Sequence, residues 1–338
     1  MHKTLLISDL HLDDDVRNEY RWGIFPWIIQ NIFRQQTSKV TGSVPSSIII
    51  AGDLTENKDY HSSKLVNPLV SGIVQLKTYV DDIYIDMGNH DGRDYNCPYF
   101  KFLSAIPGIH YINTPTEHKL GNRNVLFLPH SEDPHTDWAN LDFTDKIVIG
   151  HVTVDGAFAE SGQMLPSSVK SEIFDKAAVA YSGDIHKPQT VGNLRYIGCP
   201  YNVRFGDNFI GRVLILDTDT LQEQEIQTDF LRRLSLTTTS ETDLAARIDL
   251  LKQAEGIHNA QVKVKLELNY NSLGMLQDIT KNCKQVVKDA GYELRGWEVK
   301  KSAIGAYVPQ TNPQGKKFID YDQFCASQNI PDDIKQVG

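Results

Sequence analysis

The 338-residue sequence predicts an α/β protein: a two-sheet sandwich flanked by helices, followed by a small C-terminal α+β domain. Two observations predict the sandwich. Short runs rich in Ile, Val and Leu alternate with longer amphipathic stretches up to about residue 219, and each run ends near Gly, Asp or His. A third observation predicts the small domain, because strand-like, helix-like and strand-like segments follow one another after residue 260. At this length we expect two domains rather than one.

The strands of the larger part are predicted from apolar runs, which suit strands covered on both faces. They are residues 4–7, 47–51, 83–86, 124–128, 146–149 and 177–181, and later 194–197 and 212–217. Residues 19–34 and 64–79 carry apolar side chains at helical spacing and predict helices between these strands. On such a fold we expect the chemistry on loops that follow the carboxyl ends of the strands.

A change of composition near residue 220 predicts the domain boundaries. Residues 1–219 are the large domain, 220–239 a polar connector, 240–301 the small domain and 302–338 a tail. Residues 260–269 and 292–300 alternate apolar and charged side chains, as half-exposed strands do. Residues 273–290 between them predict an amphipathic helix that stops at Gly291, and residues 321–327 predict a short helix in the tail.

Charge and composition exclude some classes of protein. A net charge of −9 argues against a freestanding nucleic-acid coat protein, although an enzyme can meet DNA through a local basic patch. No apolar run approaches the ~20 residues that a membrane span needs. The four cysteines stand far apart without a CxxC pair, and no signal-peptide pattern precedes the first strand. We therefore expect a reducing, cytoplasmic location.

Five short motifs in order, each directly after a predicted strand, are the strongest functional signal. Their candidate metal ligands are Asp9, His11, Asp53, Asn89, His151, Asp184 and His186. A pair of divalent cations needs hard carboxylate and amide oxygens together with imidazoles, and one carboxylate must bridge both ions. Side chains two residues apart leave an extended backbone on the same side, so each Asp-x-His pair is expected to converge.

Glycine directly precedes Asp53, Asn89, His151 and Asp184, and we expect it to let the backbone turn sharply at each strand end. Each motif alone has an ordinary structural explanation. Gly-Asp is a turn dipeptide, and an aspartate or asparagine after a strand can cap a helix. Five such motifs in order favour a binuclear metal site over these explanations.

The ordered motifs resemble the calcineurin-like metallophosphoesterase superfamily over about residues 1–219. Residues 150–157, 180–189 and 196–200 more closely resemble the SbcD-type nuclease subunit of bacterial and phage SbcCD exonucleases. The sequence departs from that type twice. Asp184 stands where the first histidine of Gly-His-x-His is usual, and residues 54–57 lack the usual aromatic-acidic pair. A carboxylate still binds a hard cation, so Asp184 stays a predicted ligand.

The resemblance implies a metallophosphoesterase sandwich, with residues 240–301 as a capping domain. It implies two Mn²⁺ ions, with Mg²⁺ or another divalent cation as the alternative, acting in hydrolysis of DNA. One ion would take Asp9, His11 and His186, the other Asn89, His151 and Asp184, with Asp53 bridging both. His90 is the candidate for protonating the leaving oxygen, and Asp91 for orienting His90. The implied partners are an SbcC-type coiled-coil ATPase and a second copy of the chain, with no membrane.

Two other functional classes stay open. A stand-alone phosphodiesterase or phosphatase acting on a small phosphoester uses the same core, and a scaffold without activity could keep the fold. The metal-binding residue types disfavour the scaffold, and the presence of residues 240–338 favours the nuclease. Apolar residues between 318 and 330 predict a tail helix that docks on the ATPase or packs on its own small domain.

Overall fold

A computed structural model describes residues 2–34, 40, 42–268 and 275–301 of the chain. The chain divides into two units, Met1–Arg232 and Arg233–Gly338. Among the described residues, no helix combines the length and the apolar character that crossing a membrane requires. The predicted tail helix, with its proposed partner contact, lies outside the described residues.

The apolar runs of the first unit form its strands, with bounds within two residues of those predicted. In chain order the strands are β1 Lys3–Ile7, β2 Ser47–Ala51, β3 Asp82–Asp86, β4 Ile109–Ile112, β5 Thr116–Leu120, β6 Arg123–Leu128, β7 Ile147–His151, β8 Val179–Gly183, β9 Gln189–Val191, β10 Leu194–Tyr196, β11 Arg212–Asp217 and β12 Glu223–Gln227. The prediction missed β4, β5, β9 and β12, which are short or carry charged side chains at most exposed positions.

These strands make two six-stranded sheets within the described residues, which confirms the predicted two-sheet α/β architecture. The first has the order β12-β11-β1-β2-β3-β4 and the second β5-β6-β7-β8-β10-β9. Strands β1 to β4 are parallel to one another, and so are β6, β7 and β8. Their carboxyl ends therefore lie along one edge of each sheet, where ligands bind in open α/β sheets.

Alternate residues of the central strands enter two different hydrophobic cores, as the two-residue period of a strand requires. Leu6 and Ile49 pack with residues of the second sheet, such as Ile149. Leu5 and Ile48, each one position earlier, pack with helical residues on the other face. Full burial of each such side chain stabilises the fold by about 1.5–3 kcal/mol, so both faces of the first sheet hold its strands in place.

The helices of the first unit are α1 Ile24–Ile28, α2 Ser63–Lys77 and the single turn α3 Pro134–Asp137. The predicted helix at 64–79 is confirmed as α2. The predicted helix at 19–34 is only partly a regular α-helix, because α1 stands between a 3₁₀ segment, Val16–Gly23, and a π segment, Ile29–Phe33. The Asp15 side chain accepts a hydrogen bond from the Arg17 N–H and begins this run.

Strand β13 Arg232–Thr238 begins at the last residue of the first unit, and the second unit continues with α4 Glu241–Glu255, β14 Ala260–Leu268, α5 Leu276–Asp289 and β15 Glu293–Lys301. Its sheet has the order β13-β14-β15, and β14 and β15 are parallel, joined through α5. Val262, Val264 and Leu266 alternate with half-buried charged residues, as the sequence predicted. Helix α4 was not predicted, and residues 220–239, expected to be a connector, contain β12 and β13.

Candidate functional site

The predicted ligands meet at the edge of the sheets where parallel strands end. Asp9 and His11 follow β1, Asp53 follows β2, Asn89 follows β3, His151 ends β7, and Asp184 and His186 follow β8. These strands belong to both sheets, so the site is built across the sandwich. Hydrogen bonds join the turns, because the Asp9 N–H donates to the Gly52 carbonyl and the Asp184 N–H donates to Asp9 Oδ1.

The backbone at several of these residues is left-handed, which corrects the expected geometry of the Asp-x-His pairs. The φ angles of Asp9, His11, Asp53 and Asp184 are 55°, 44°, 51° and 79°. The pairs therefore do not converge through an extended backbone. Left-handed residues other than glycine are uncommon and cluster where the surrounding structure holds strain for function. At Asp9, Asp53 and Asp184, the left-handed backbone directs the carboxylate into the site within a single residue.

The glycines beside the ligands act in two ways. Gly52 has a φ of 82°, as expected for a sharp turn, and a Cβ there would lie 2.5 Å from Cγ of His151. Gly88 has no left-handed φ, but a Cβ there would overlap the Asp53 side chain. Glycine at position 88 is therefore needed for close approach of two motifs rather than for a turn.

Asp9, His11 and His186 form the first ligand group. One ligand atom of each lies within 4.8 Å of those of the others, and all three residues are buried. The Nε2 atoms of His11 and His186 are 3.0 Å apart. The Glu160 carboxylate accepts a hydrogen bond of 3.1 Å from the His186 N–H and holds this loop in place.

Asn89, His151 and Asp184 form the second ligand group. Nε2 of His151 lies 3.1 Å from the Asn89 amide oxygen and 3.7 Å from Asp184 Oδ1. Its Nδ1–H donates a hydrogen bond of 3.0 Å to the Ala51 carbonyl, so Nε2 is the ring atom available to a cation. Asp184 also accepts a hydrogen bond from the Thr153 hydroxyl, so its carboxylate is oriented although it replaces the family's usual histidine.

The Asp53 carboxylate lies between the two groups. Its Oδ2 atom is 3.4 Å from Nε2 of His11, and its Oδ1 atom is 3.3 Å from Nε2 of His151. No other described carboxylate contacts a histidine of each group at such distances. This is the position that a ligand shared by two ions must occupy.

The donor set fits divalent cations, because it leaves electron pairs that no protein group satisfies. Asp9 Oδ2 is buried without a hydrogen-bond partner among the described residues. The Asn89 amide lies beside the same cluster, 3.1 Å from Nε2 of His151. A buried polar atom without a partner is costly, and a cation among these atoms would satisfy them together. The residues therefore fit a binuclear site of hard and imidazole ligands.

In the site, burial and the ion pair between His151 and Asp53 shift the pKa values of these two residues in opposite directions. Burial alone lowers the pKa of His151, but the Asp53 carboxylate outweighs it and raises this pKa well above its ordinary value. Burial favours the neutral form of Asp53, yet the same pairing holds the pKa of Asp53 well below its usual range. Burial raises the pKa of Asp9 to about 6. Without a cation, a protonated histidine balances Asp53, so cation binding would release a proton.

His90 and Asp91 lie beside the ligand groups in different roles. The His90 N–H donates to Asp53 Oδ1 at 2.9 Å, and its ring Nδ1 lies 2.6 Å from the Glu56 carbonyl. The His90 ring packs edge-on against His11 at 4.9 Å. Asp91 is fully buried and accepts hydrogen bonds from the Gly88 and Thr55 N–H groups. The His90 ring therefore hydrogen-bonds to the backbone carbonyl of Glu56 and not to Asp91, the residue predicted to orient it.

Three residues at the site were not predicted from the sequence. Glu56 lies 3.4 Å from Nδ1 of His11, and the buried Arg21 donates to Glu56 at 2.9 Å and to the His11 carbonyl. Glu160 supports His186 from a long loop between β7 and β8. Glu56 could have been identified from the sequence, because it is a carboxylate three residues after the predicted ligand Asp53. Nothing in the local sequence distinguishes Arg21 or Glu160 from surface charges.

Comparison with known proteins agrees with this geometry. The model of the calcineurin-like phosphoesterase family matches residues 2–192, a range that includes every predicted ligand together with His90 and Asp91. No curated protein sequence matches the chain.

Proposed function

Because the chain belongs to the calcineurin-like phosphoesterase family, a family of metal-dependent phosphoester hydrolases, we propose that it hydrolyses phosphodiester bonds of DNA as a Mn²⁺-dependent nuclease subunit. Exonuclease and endonuclease cleavage both fall within this proposal. In it, the chain acts in the cytoplasm with a coiled-coil ATPase during DNA end processing, repair, recombination or replication, and two copies of the chain form a homodimer. Cys97, Cys199 and Cys283, which are unpaired, support a reducing compartment.

The position of Asp53 carries the proposal. Its two oxygens face one histidine of each ligand group at 3.4 Å and 3.3 Å, an arrangement suited to two ions sharing a carboxylate. Paired divalent cations stabilise charge on a phosphate and provide a hydroxide from water at neutral pH. Histidine, carboxylate and amide ligands without thiolate suit Mn²⁺ or Mg²⁺, and the imidazoles favour Mn²⁺.

The protein groups around the ligands hold the ligand side chains in place. Thr153 and Ala51 orient Asp184 and His151, so little rearrangement is needed when a substrate binds. His90 is the group placed to give a proton to the leaving oxygen. Nδ1–H of His90 donates a hydrogen bond to the Glu56 backbone carbonyl, so Nε2 is the ring atom that would give a proton to the leaving oxygen.

Support for DNA comes from the sequence around the fourth and fifth motifs, which resembles that of SbcD-type nucleases at residues 150–157 and 180–189. A second unit with its own βαβ core, as in β14-α5-β15, also agrees with a nuclease that carries a capping domain. The alternative is a stand-alone phosphodiesterase or phosphatase acting on a small phosphoester.

One assay separates these functions. The full chain loaded with Mn²⁺ is incubated with linear double-stranded DNA and, in parallel, with bis-p-nitrophenyl phosphate. We expect both to be hydrolysed, with loss of both activities in Asp53→Asn. Hydrolysis of the small diester with intact DNA, also after addition of a coiled-coil ATPase encoded nearby, would favour the small-phosphoester alternative. No hydrolysis of either substrate would contradict the proposed function altogether.

A further inference from the structure

A cavity of about 360 Å³ opens beside the candidate site. Its walls include Asn113, which follows β4, and His130, which follows β6. Strands β4 and β6 are the direct neighbours of β3 and β7, the strands that position Asn89 and His151. The rings of His130 and His151 are 6.3 Å apart, centre to centre. A group attached to a phosphate at the ligand groups can therefore reach this cavity.

The cavity walls include flat aromatic rings held in place by their neighbours. The Tyr95 ring lies 5.9 Å from the His130 ring, and Asn113 donates to the Tyr95 carbonyl at 2.7 Å and fixes this loop. Trp138 also lines the cavity and is only 5% exposed.

The charge of the walls decides which part of a substrate fits. Glu132, Asp133 and Asp137 line the cavity, and the described lining contains no lysine or arginine. Asp133 caps α3 through the Thr136 N–H, and Asp137 accepts a hydrogen bond of 2.5 Å from the Ser131 hydroxyl, so both carboxylates are held in place. Such walls repel a second phosphate and accept hydrogen bonds from neutral N–H and O–H groups.

We propose that this cavity binds the terminal nucleoside adjoining the scissile phosphate, whose other sugar hydroxyl carries no second phosphate. The base stacks on the ring of Tyr95, and the carboxylates and amides accept from its N–H groups and from the sugar hydroxyl. The volume lies within the range of small-molecule sites in proteins. This inference rests on the proposed phosphodiester hydrolysis and specifies its substrate: a diester with a nucleoside on at least one side.

The test compares diesters that share one leaving group. The p-nitrophenyl esters of thymidine 3′-monophosphate and 5′-monophosphate are compared with bis-p-nitrophenyl phosphate, using the Mn²⁺-loaded full chain. We expect at least one thymidine ester to show a KM about tenfold lower than the simple diester, the gain that one base–aromatic stack supplies. Tyr95→Ala should abolish this difference, and Tyr95→Phe should keep it.

Tyr60→Ala is the matched control, because Tyr60 is 95% exposed and does not line the cavity. Calorimetry with thymidine 5′-monophosphate and inorganic phosphate adds a readout independent of turnover. We expect the nucleotide to bind more tightly than phosphate, and only in variants that keep a ring at position 95. Equal KM values for all diesters in the unmodified chain, or unchanged selectivity in Tyr95→Ala, would overturn the nucleoside site and leave the hydrolase standing. Absence of hydrolysis with ring-dependent nucleotide binding would instead overturn the proposed function alone.

Discussion

At the scale of single residues, the ligand types and their order could be predicted, but their backbone geometry could not. The carboxyl ends of parallel strands meet at one edge, so motifs after such strands come together whatever lies between them. The left-handed φ angles of Asp9 and Asp184 depend on contacts made 175 residues apart, such as the hydrogen bond from the Asp184 N–H to Asp9. Glu160 was missed for the same reason, because its partner His186 lies beyond the local sequence.

His90 and Asp53 should separate catalysis from metal binding. His90→Asn is expected to lower turnover about 10²–10⁴-fold, because a proton-transferring group is lost, while Mn²⁺ affinity stays close to that of the unmodified chain. Asp53→Asn should lose metal and activity together, because its two oxygens face both ligand groups. Calorimetric titration with Mn²⁺ beside a diester assay measures both quantities. Equal loss of metal in the two variants would show that His90 is itself a ligand.

Asp86 should make the metal-free protein sensitive to pH. It is fully buried at the end of β3, neither carboxylate oxygen has a hydrogen-bond partner among the described residues, and burial raises its pKa well above the ordinary value. Folding therefore favours the protonated form. This contribution is complete below pH ~4, and about 1.4 kcal/mol is lost for each pH unit between the unfolded and folded pKa values.

Urea unfolding of Asp86→Asn, which cannot ionise, measures this contribution. Relative to that variant, the unmodified chain should lose stability as the pH rises from 5 to 8 in the presence of a chelator. Asp81→Asn, at an exposed position, is the control and should show no such trend. A difference between Asp86→Asn and the unmodified chain that stays constant with pH would mean that Asp86 is ionised or paired in the folded state.

At the scale of elements, the strands that carry the site were predicted because they are apolar throughout, whereas edge strands such as β5 were not. In β5 the exposed positions are charged, and Leu120 is the only buried residue, so no apolar run marks it. The helical segment at 16–33 shows the limit of the helical period. Its spacing of apolar residues indicates a helix but does not distinguish 3₁₀, α and π turns.

The turn after β2 offers a prediction with a closely matched control. Gly52 and Gly162 have nearly the same backbone, with φ of 82° and 81°, but a Cβ at Gly162 has nothing within 4 Å. Gly162→Ala should cost only the left-handed strain, about 1–2 kcal/mol. Gly52→Ala should cost about 1–3 kcal/mol more, because the methyl group overlaps the His151 ring, and should also weaken Mn²⁺ binding. Equal stability and metal affinity in both variants would remove Gly52 from the construction of the site.

At the scale of the whole molecule, the chain divides at residues 232 and 233, and the change of composition near residue 220 did not reveal the regular structure that precedes this junction. Polar, Thr-rich sequence favoured a connector at 220–239, yet β12 and β13 form there. Strand β12 pairs with β11, and Ile226 is its one buried position. Pairing with an existing sheet edge thus overrides a weak local preference, as is general for strands.

Cation binding should stabilise the first unit. A ligand that binds only the folded state at about 100 times its Kd adds ~2.7 kcal/mol, which for a unit of this size raises Tm by roughly 5–10 °C. Differential scanning calorimetry with Mn²⁺ and with a chelator measures the shift. Asp53→Asn should show little or none of it. A shift of the same size in that variant would place the stabilising cation elsewhere on the chain.

The sheet order also has a consequence for synthesis of the chain. Strand β1 at residues 3–7 lies between β2 and β11, and its pairing with β11 joins Leu5 to Ile215. At ~5–20 residues per second, a ribosome needs roughly 10–40 s to make the intervening segment. During this time one edge of β1, which is apolar at Leu5, Leu6 and Ile7, lacks its β11 partner, and unpaired edges of this kind recruit other chains. The nascent protein is therefore expected to depend on a chaperone until residue 217 has emerged.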